Sequence, residues 1–227
     1  MTSVPINSPG LGEPQQGQKY VPCARDQYVR RLPENPEGRI LDIGCANGTT
    51  GELALRENRC GYYCGVEICE KSAEAARDRI SEVIVADVET LVPPWPDRFF
   101  DVLILSEVLE HMRDLWVVLR KLHRCLKPGA WVFASSPNVA HYSVIWMLLA
   151  GGWDLSTFET MDEAHLRWFT PRTYRAMFEV CGYHVVDVHP TGRLGRKAKT
   201  ASLLLDRRYG HLFWRQIELE ARCRVAR

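Results

Sequence analysis

The sequence has no surplus of either charge. Its 29 Lys and Arg stand against 28 Asp and Glu across 227 residues, so no global field recruits nucleic acid or an acidic membrane surface. Long apolar runs are also missing, and none reaches the roughly 20 residues that a membrane-spanning helix needs. The first ten residues, Met1 to Gly10, have neither the basic nor the apolar block of a secretory signal. The chain therefore reads as cytoplasmic, with no stable membrane insertion. Eight cysteines (Cys23, Cys45, Cys60, Cys64, Cys69, Cys125, Cys181 and Cys223) include no Cys-x-x-Cys pair, so no zinc or other metal is assigned. Cys60, Cys64 and Cys69 form the one cluster and read as small buried thiols. Two nucleotide fingerprints are absent as well. The glycines are not spaced G-x-G-x-x-G, which disfavours a nicotinamide-dependent oxidoreductase, and no Lys-Ser or Lys-Thr pair closes the glycine turn as in a Walker loop.

What the sequence does contain is Ile40-Leu41-Asp42-Ile43-Gly44-Cys45-Ala46-Asn47-Gly48-Thr49-Thr50-Gly51. An apolar strand ends in an acid, glycines free the backbone for a tight turn, and a helix opens at Gly51. A turn with little side chain lets a ligand approach main-chain N–H groups, and the helix start adds a partial positive field. The pattern then repeats. Tyr62 to Glu67 is a second strand ending in an acid, followed by a helix from Glu70 to Ile80. Val83 to Asp87 is a third strand ending in an acid. Acids at Asp42, Glu67 and Asp87, each closing a strand in βαβαβ order, predict an α/β, doubly wound, mostly parallel sheet with a ligand at its carboxyl edge.

Asp42-Ile43-Gly44-Cys45-Ala46-Asn47-Gly48 resembles the first motif of class I S-adenosylmethionine-dependent methyltransferases, D/E-x-G-x-G-x-G, with Ala46 in place of the middle glycine. The resemblance implies a Rossmann-like sheet of seven strands with an antiparallel last strand, and S-adenosyl-L-methionine as cofactor. It places Asp42, Gly44, Cys45, Gly48 and Ser106 around that cofactor, Glu67 on its ribose hydroxyls, and Asp87 and Val88 at its adenine. The bland reading of Glu67 is a solvated loop carboxylate.

Further along, Asp101 to Ser106 is apolar enough for a central strand. One helix is expected from Glu107, with a core stripe of Val108, Met112, Leu115, Leu119, Leu122 and Leu126. Lys127-Pro128-Gly129 stops it, and Ala130 to Ser136 forms the fifth strand. Val144 to Ala150 is expected to floor a lid spanning about 141–170, hinged at Gly151-Gly152. Thr170 and Pro171 cap a helix from Arg172 to Cys181, and Tyr183 to His189 forms the sixth strand. The strict alternation from Gln216 to Val225 predicts a half-exposed seventh strand. The expected organisation is a loose arm over 1–19, a short helix containing Tyr28, Val29 and Leu32, and one domain over 20–227.

The segments Glu107-Val108-Leu109-Glu110-His111 and His165-Leu166-Arg167-Trp168-Phe169-Thr170 are similar to those of small-molecule methyltransferases, the second to enzymes of sugar and cell-envelope biosynthesis. The resemblance makes His111 and His165 candidate bases, and Asn138, His141 and Arg167 candidate acceptor contacts. The competing readings are a helix-start histidine held by a neighbouring carboxylate and a polar tie that fixes the lid to the sheet. The basic stretch Arg193 to Lys199 reads as solvated surface in preference to a phosphate contact. The expected partner is a small-molecule acceptor such as a sugar or lipid-linked intermediate, not nucleic acid, and self-association is compatible with this reading. O-methylation is the favoured reaction. A non-catalytic binding or regulatory relative of the same fold is the alternative.

Overall fold

The computed structural model describes residues 24–156, 160–192 and 209–224. The arm over 1–19, the basic stretch from Arg193 and a helix expected through Leu205 lie outside the described residues.

Seven strands form one sheet: β1 (Arg39–Ile43), β2 (Tyr62–Glu67), β3 (Glu82–Val85), β4 (Phe100–Ser106), β5 (Leu126–Pro137), β6 (Tyr183–Pro190) and β7 (Gln216–Cys223), in the order β3-β2-β1-β4-β5-β7-β6. Only β7 runs antiparallel, inserted between β5 and β6. The chain winds outward from β1 through β2 to β3, then returns to lay β4 on the other side of β1. The carboxyl ends of β1 and β4 are therefore where the connections leave in opposite directions, and a crevice opens there because no crossover covers both.

Alternation along each strand divides the core into two layers. Leu41, Ile43, Leu103 and Leu105 face α4 (Leu115–Cys125) and α6 (Pro171–Val180), while Ile40, Tyr63, Ile104 and Phe133 face the layer that contains α1 (Asp26–Val29), α2 (Thr49–Arg56) and α3 (Glu70–Arg77). Strands apolar on both faces are what a sheet covered by helices on both sides requires. Tyr28, Val29 and Leu32 are all buried in the second layer, as the sequence predicts. On the first layer, Tyr174 and Tyr183 bury their rings and donate their hydroxyls to the carbonyls of Ser135 and Leu119.

Four expectations need correction. The helix predicted from Glu107 is broken: a single 3-10 turn, Leu109–His111, precedes an extended Met112, and α4 starts only after Asp114, whose carboxylate accepts from the Val117 N–H. The apolar stripe is continuous in sequence, but Asp114 is a better cap than an interior residue. The apolar helix α5 (Tyr142–Leu149) buries Val144 but leaves Trp146, Leu148 and Leu149 exposed, so it does not floor a cleft. Strand β7 is more covered than a half-exposed strand: Ile217, Leu219, Ala221 and Cys223 are buried on one face, and on the other Glu218 is buried while Gln216, Glu220 and Arg222 are partly covered. Finally, Cys60 and Cys64 are buried thiols, but Cys69 is exposed at the start of α3.

The polar residues of β7 have partners that alternation cannot reveal. Glu218 is 1% exposed and accepts from the Arg31 guanidinium at 3.1 Å, while Glu220 accepts from the same nitrogen at 2.8 Å. Arg31 thus ties the segment after α1 to a strand nearly 190 residues away. Removing the cation leaves Glu218 buried without it. Arg31→Met is expected to lower stability by about 2 kcal/mol, and to cost markedly less when Glu218 is already Gln. A double-mutant cycle in urea denaturation would measure the coupling.

Candidate active site

The turn after β1 is shaped by three left-handed residues, Gly44 at φ 75°, Ala46 at φ 49° and Gly48 at φ 78°. Space is limited there too, since a Cβ on Gly48 would lie 3.0 Å from that of Ala76, and one on Gly44 would lie 3.3 Å from Val108 Cγ2. Ala46 takes a left-handed conformation that glycine would adopt without strain, at a cost of about 1 kcal/mol. The turn is held from the neighbouring strand: Gly44 N–H donates to the Val66 carbonyl at 2.8 Å, and Ala46 N–H donates to Glu67 Oε2 at 2.9 Å. The other oxygen, Glu67 Oε1, accepts from Cys69 N–H at 2.9 Å. Glu67 is therefore a buried carboxylate bracing two loops, not a solvated one.

A cavity of about 490 Å³ opens at the crevice between the strand ends. Gly44, Glu67, Asp87 and Val88, from the ends of the first three strands, line it together with Glu107, His111 and Arg113 from the segment after β4 and Leu166 from the loop of His165. Asp87 stands just past β3, with Oδ1 accepting from the Glu89 N–H. The structure thus brings together five of the residues singled out from sequence: Gly44, Glu67, Asp87, Val88 and His111.

Asp42, Cys45 and Ser106 fall elsewhere, around a small pocket of about 30 Å³ behind the turn that Arg25 also lines. The Cys45 thiol packs inward beneath β2, where a Cβ on Gly65 would lie 2.3 Å from its sulfur, and burial pushes its pKa far up. Cys45 has only its backbone to offer a ligand. Ser106 Oγ faces Ser135 Oγ at 3.2 Å. Asp42 accepts from the Tyr63 hydroxyl at 2.7 Å, and burial raises its pKa to about 7.

The proposed acceptor contacts are not at the cavity wall. Asn138 is fully buried, donates to the carbonyls of His211 and Trp214, and accepts from Ala140 N–H. It stitches the end of β5 to the segment before β7. His141 turns Nδ1 to Ser143, capping α5. Arg167 donates to the Arg113 carbonyl and stacks over Trp116, so its side chain ties this segment to α4 and the loop before it, not to the sheet. For Asn138 and Arg167 a tertiary partner captures the polar group, and for His141 a local helix cap does so.

His111 and His165 do meet, with ring centroids 4.8 Å apart in an edge-on arrangement. The segment of His165 docks on the turn of His111: Leu166 and Arg167 N–H both donate to the Glu110 carbonyl, and His111 Nδ1 faces the Ala164 carbonyl at 3.2 Å. His111 is thus held by a backbone carbonyl, not by a carboxylate. Burial, then the neighbouring His111, lowers the His165 pKa. Sequence reasoning overlooked Glu110, which is 1% exposed directly beneath these rings. The available signal was an acid inside the apolar run Val108-Leu109-Glu110, next to a histidine.

Comparison with known proteins agrees with this geometry. The family model described as a methyltransferase domain matches residues 18–188. The 27-O-demethylrifamycin SV methyltransferase of Amycolatopsis mediterranei is 38% identical over 112 residues, covering 46% of this chain and 40% of that protein. The ubiquinone biosynthesis O-methyltransferase of Neisseria meningitidis serogroup A is 28% identical over 156 residues, covering 66% of this chain and 65% of its own length. The chain thus spans between two fifths and two thirds of the length of these relatives. Among solved structures, an S-adenosylmethionine-dependent methyltransferase from Archaeoglobus fulgidus superposes with a TM-score of 0.64 at 20% identity, over 88% of this chain and 94% of that one. The [4+2]-cyclase SpnF superposes at 0.61 and 20% identity, over 88% and 80%.

Asp42 supplies a pH test of the turn. In the native state it keeps its proton up to about 7, whereas an ordinary aspartate releases it near 3.8. Between those values the folded chain binds the extra proton, so this residue makes stability fall as pH rises. Asp42→Asn should remove that slope and gain roughly 2 to 4 kcal/mol on the wild type at pH 8, with little difference at pH 4. Urea titrations of both proteins at the two pH values would read it.

Proposed function

Since the chain belongs to the methyltransferase domain family, we propose that it transfers the methyl group of S-adenosyl-L-methionine to an oxygen of a small-molecule acceptor. The observation that carries this reading is the cavity at the switch point of the sheet, lined by the braced glycine turn, by two acids and by the His111 turn. The acid at the end of β2 suits a ribose. Each Glu67 oxygen accepts one backbone N–H, and a carboxylate oxygen has a second lone pair to accept a ribose hydroxyl. Asp87, held by Glu89 N–H through one oxygen, keeps the other for the adenine amino group, and Val88 supplies an apolar edge beside the ring. Gly44 lets the backbone approach the ligand in the same cavity. Asp42 and Ser106, behind the turn, support its position.

Methyl transfer from a sulfonium is an in-line displacement: the O–CH₃ bond forms as the S–CH₃ bond breaks, and S-adenosylhomocysteine leaves. Much of the acceleration comes from holding the acceptor oxygen close to the methyl carbon and on the sulfur–carbon axis. His111, Arg113 and Leu166 line the same cavity and are where the acceptor is to be held. The names of the two relatives, both O-methylation of small molecules, favour an oxygen acceptor. Balanced charge favours a small acceptor over nucleic acid. A second reading, a chain of this fold that binds the cofactor without methyl transfer, draws on the cyclase SpnF, which has the same architecture.

Calorimetric titration with S-adenosylmethionine, and with nicotinamide dinucleotide as control, tests the cofactor half. Binding of the methyl donor alone is expected, and failure to bind it would overturn the proposal. Glu67→Ala should weaken that binding by about 10- to 100-fold through lost ribose hydrogen bonds and a less braced turn, while circular dichroism reports an intact fold.

A further inference from the structure

Beside this cavity, Glu110, His111 and His165 converge. One potential ligand atom from each lies within 4.8 Å of the others. Glu110 sits beneath the two rings with both carboxylate oxygens buried and without a hydrogen-bond partner among the described residues. Glu107, three residues earlier, also has Oε1 buried without a partner, although its Oε2 accepts from Gln216. A folded protein rarely leaves two carboxylate oxygens uncompensated in its interior, because each costs the full desolvation penalty. A bound cation would give both oxygens of Glu110 the partner they lack.

The imidazoles are set for the same task. His111 Nδ1 faces the Ala164 carbonyl at 3.2 Å, and His165 Nδ1 faces the Thr160 carbonyl at 3.3 Å. A carbonyl can only accept, so each Nδ1 carries the hydrogen and each Nε2 keeps its lone pair. An imidazole whose second nitrogen is anchored to a backbone carbonyl is the usual supporting arrangement around a bound metal. Ligand atoms about 2.0–2.2 Å from one ion stand roughly 3–4 Å apart, so closure by about 1 to 2 Å would complete the set.

We propose that Glu110, His111 and His165 bind one divalent metal ion on the acceptor side of the cleft. Two imidazoles with one carboxylate suit Mn²⁺, Fe²⁺, Co²⁺ or Zn²⁺ better than the oxygen-seeking Mg²⁺ or Ca²⁺. His111 is exposed and lines the cavity, so the ion's remaining positions open toward the acceptor. Resting on the methyl-transfer reading above, the ion's role is to coordinate the acceptor hydroxyl and lower its pKa. The hydroxyl proton passes to water, and the resulting oxyanion attacks the methyl carbon. The two histidines then act as ligands, and no side-chain base is required.

The test reads the metal itself. Purified full-length chain, stripped with a chelator, is titrated with Co²⁺ by visible absorption and with Mn²⁺ by paramagnetic resonance, and Zn²⁺ is used to compete. Saturation at one ion per chain is expected, with affinity falling about tenfold or more in Glu110→Gln and in His165→Ala. Glu110→Gln keeps the shape and removes a buried charge, so its melting temperature should equal or exceed that of the wild type, which separates lost ligation from lost folding. Absence of saturable binding, or equal affinity in both variants, would overturn the site. S-adenosylmethionine titrated into the same samples keeps the two proposals apart: cofactor binding without metal binding removes only the metal site, and metal binding without cofactor binding removes only the methyl-transfer reading.

Discussion

Two hydrogen bonds across the ends of neighbouring strands, Gly44 N–H to the Val66 carbonyl and Ala46 N–H to the Glu67 carboxylate, fix the turn on which the cavity is built. A backbone that reverses through three left-handed residues is unfavourable by itself, and Ala46 makes it more so by about 1 kcal/mol. The parallel pairing of β1 with β2, in register from Arg39 with Tyr62 to Ile43 with Val66, delivers the acceptor groups to where the turn's donors emerge. Strand pairing thus stabilises the strained turn, and the turn in turn leaves the carboxyl edge of the sheet open.

That edge concentrates acids, and their compensation differs in kind. Asp42 has a tyrosine hydroxyl, Glu67 has two backbone N–H groups, and Glu218 at the far end has an arginine. A carboxylate bonded by backbone donors is held in place while its other lone pairs remain free to accept. Glu110 differs from all of these, because neither of its oxygens makes a hydrogen bond within the described residues. Seen as a series, these residues separate acids that build the fold from acids whose surroundings are completed by something bound.

The acceptor side is assembled differently. The segment carrying His165 and Arg167 docks onto the Glu110–His111 turn through backbone hydrogen bonds to one carbonyl, and the Arg167 side chain is spent on the Arg113 carbonyl and the Trp116 ring. Side chains that look like substrate contacts can instead be what holds such a segment in place. Asn138 shows the same economy, using its amide to join β5 to the chain leading into β7.

The sequence by itself determined most of the strands, the helix starts and the acids that line the cavity, because each is local, whereas the order of the strands was implied only by the family resemblance. The strand of Tyr62 to Glu67, the acids at Glu67 and Asp87, the left-handed turn and the Thr170–Pro171 helix start each depend on a few adjacent residues whose periodicity or backbone preference survives in any context. Only the tertiary structure decided the break before α4, where Asp114 caps a new helix inside an unbroken apolar stripe, and the burial of β7, which depends on its insertion between β5 and β6. It also decided the meeting of Glu110, His111 and His165. His111 and His165 lie 54 residues apart in sequence, and no periodicity relates them. Their approach follows from the docking of one loop on one carbonyl, a long-range contact that no short stretch of residues encodes.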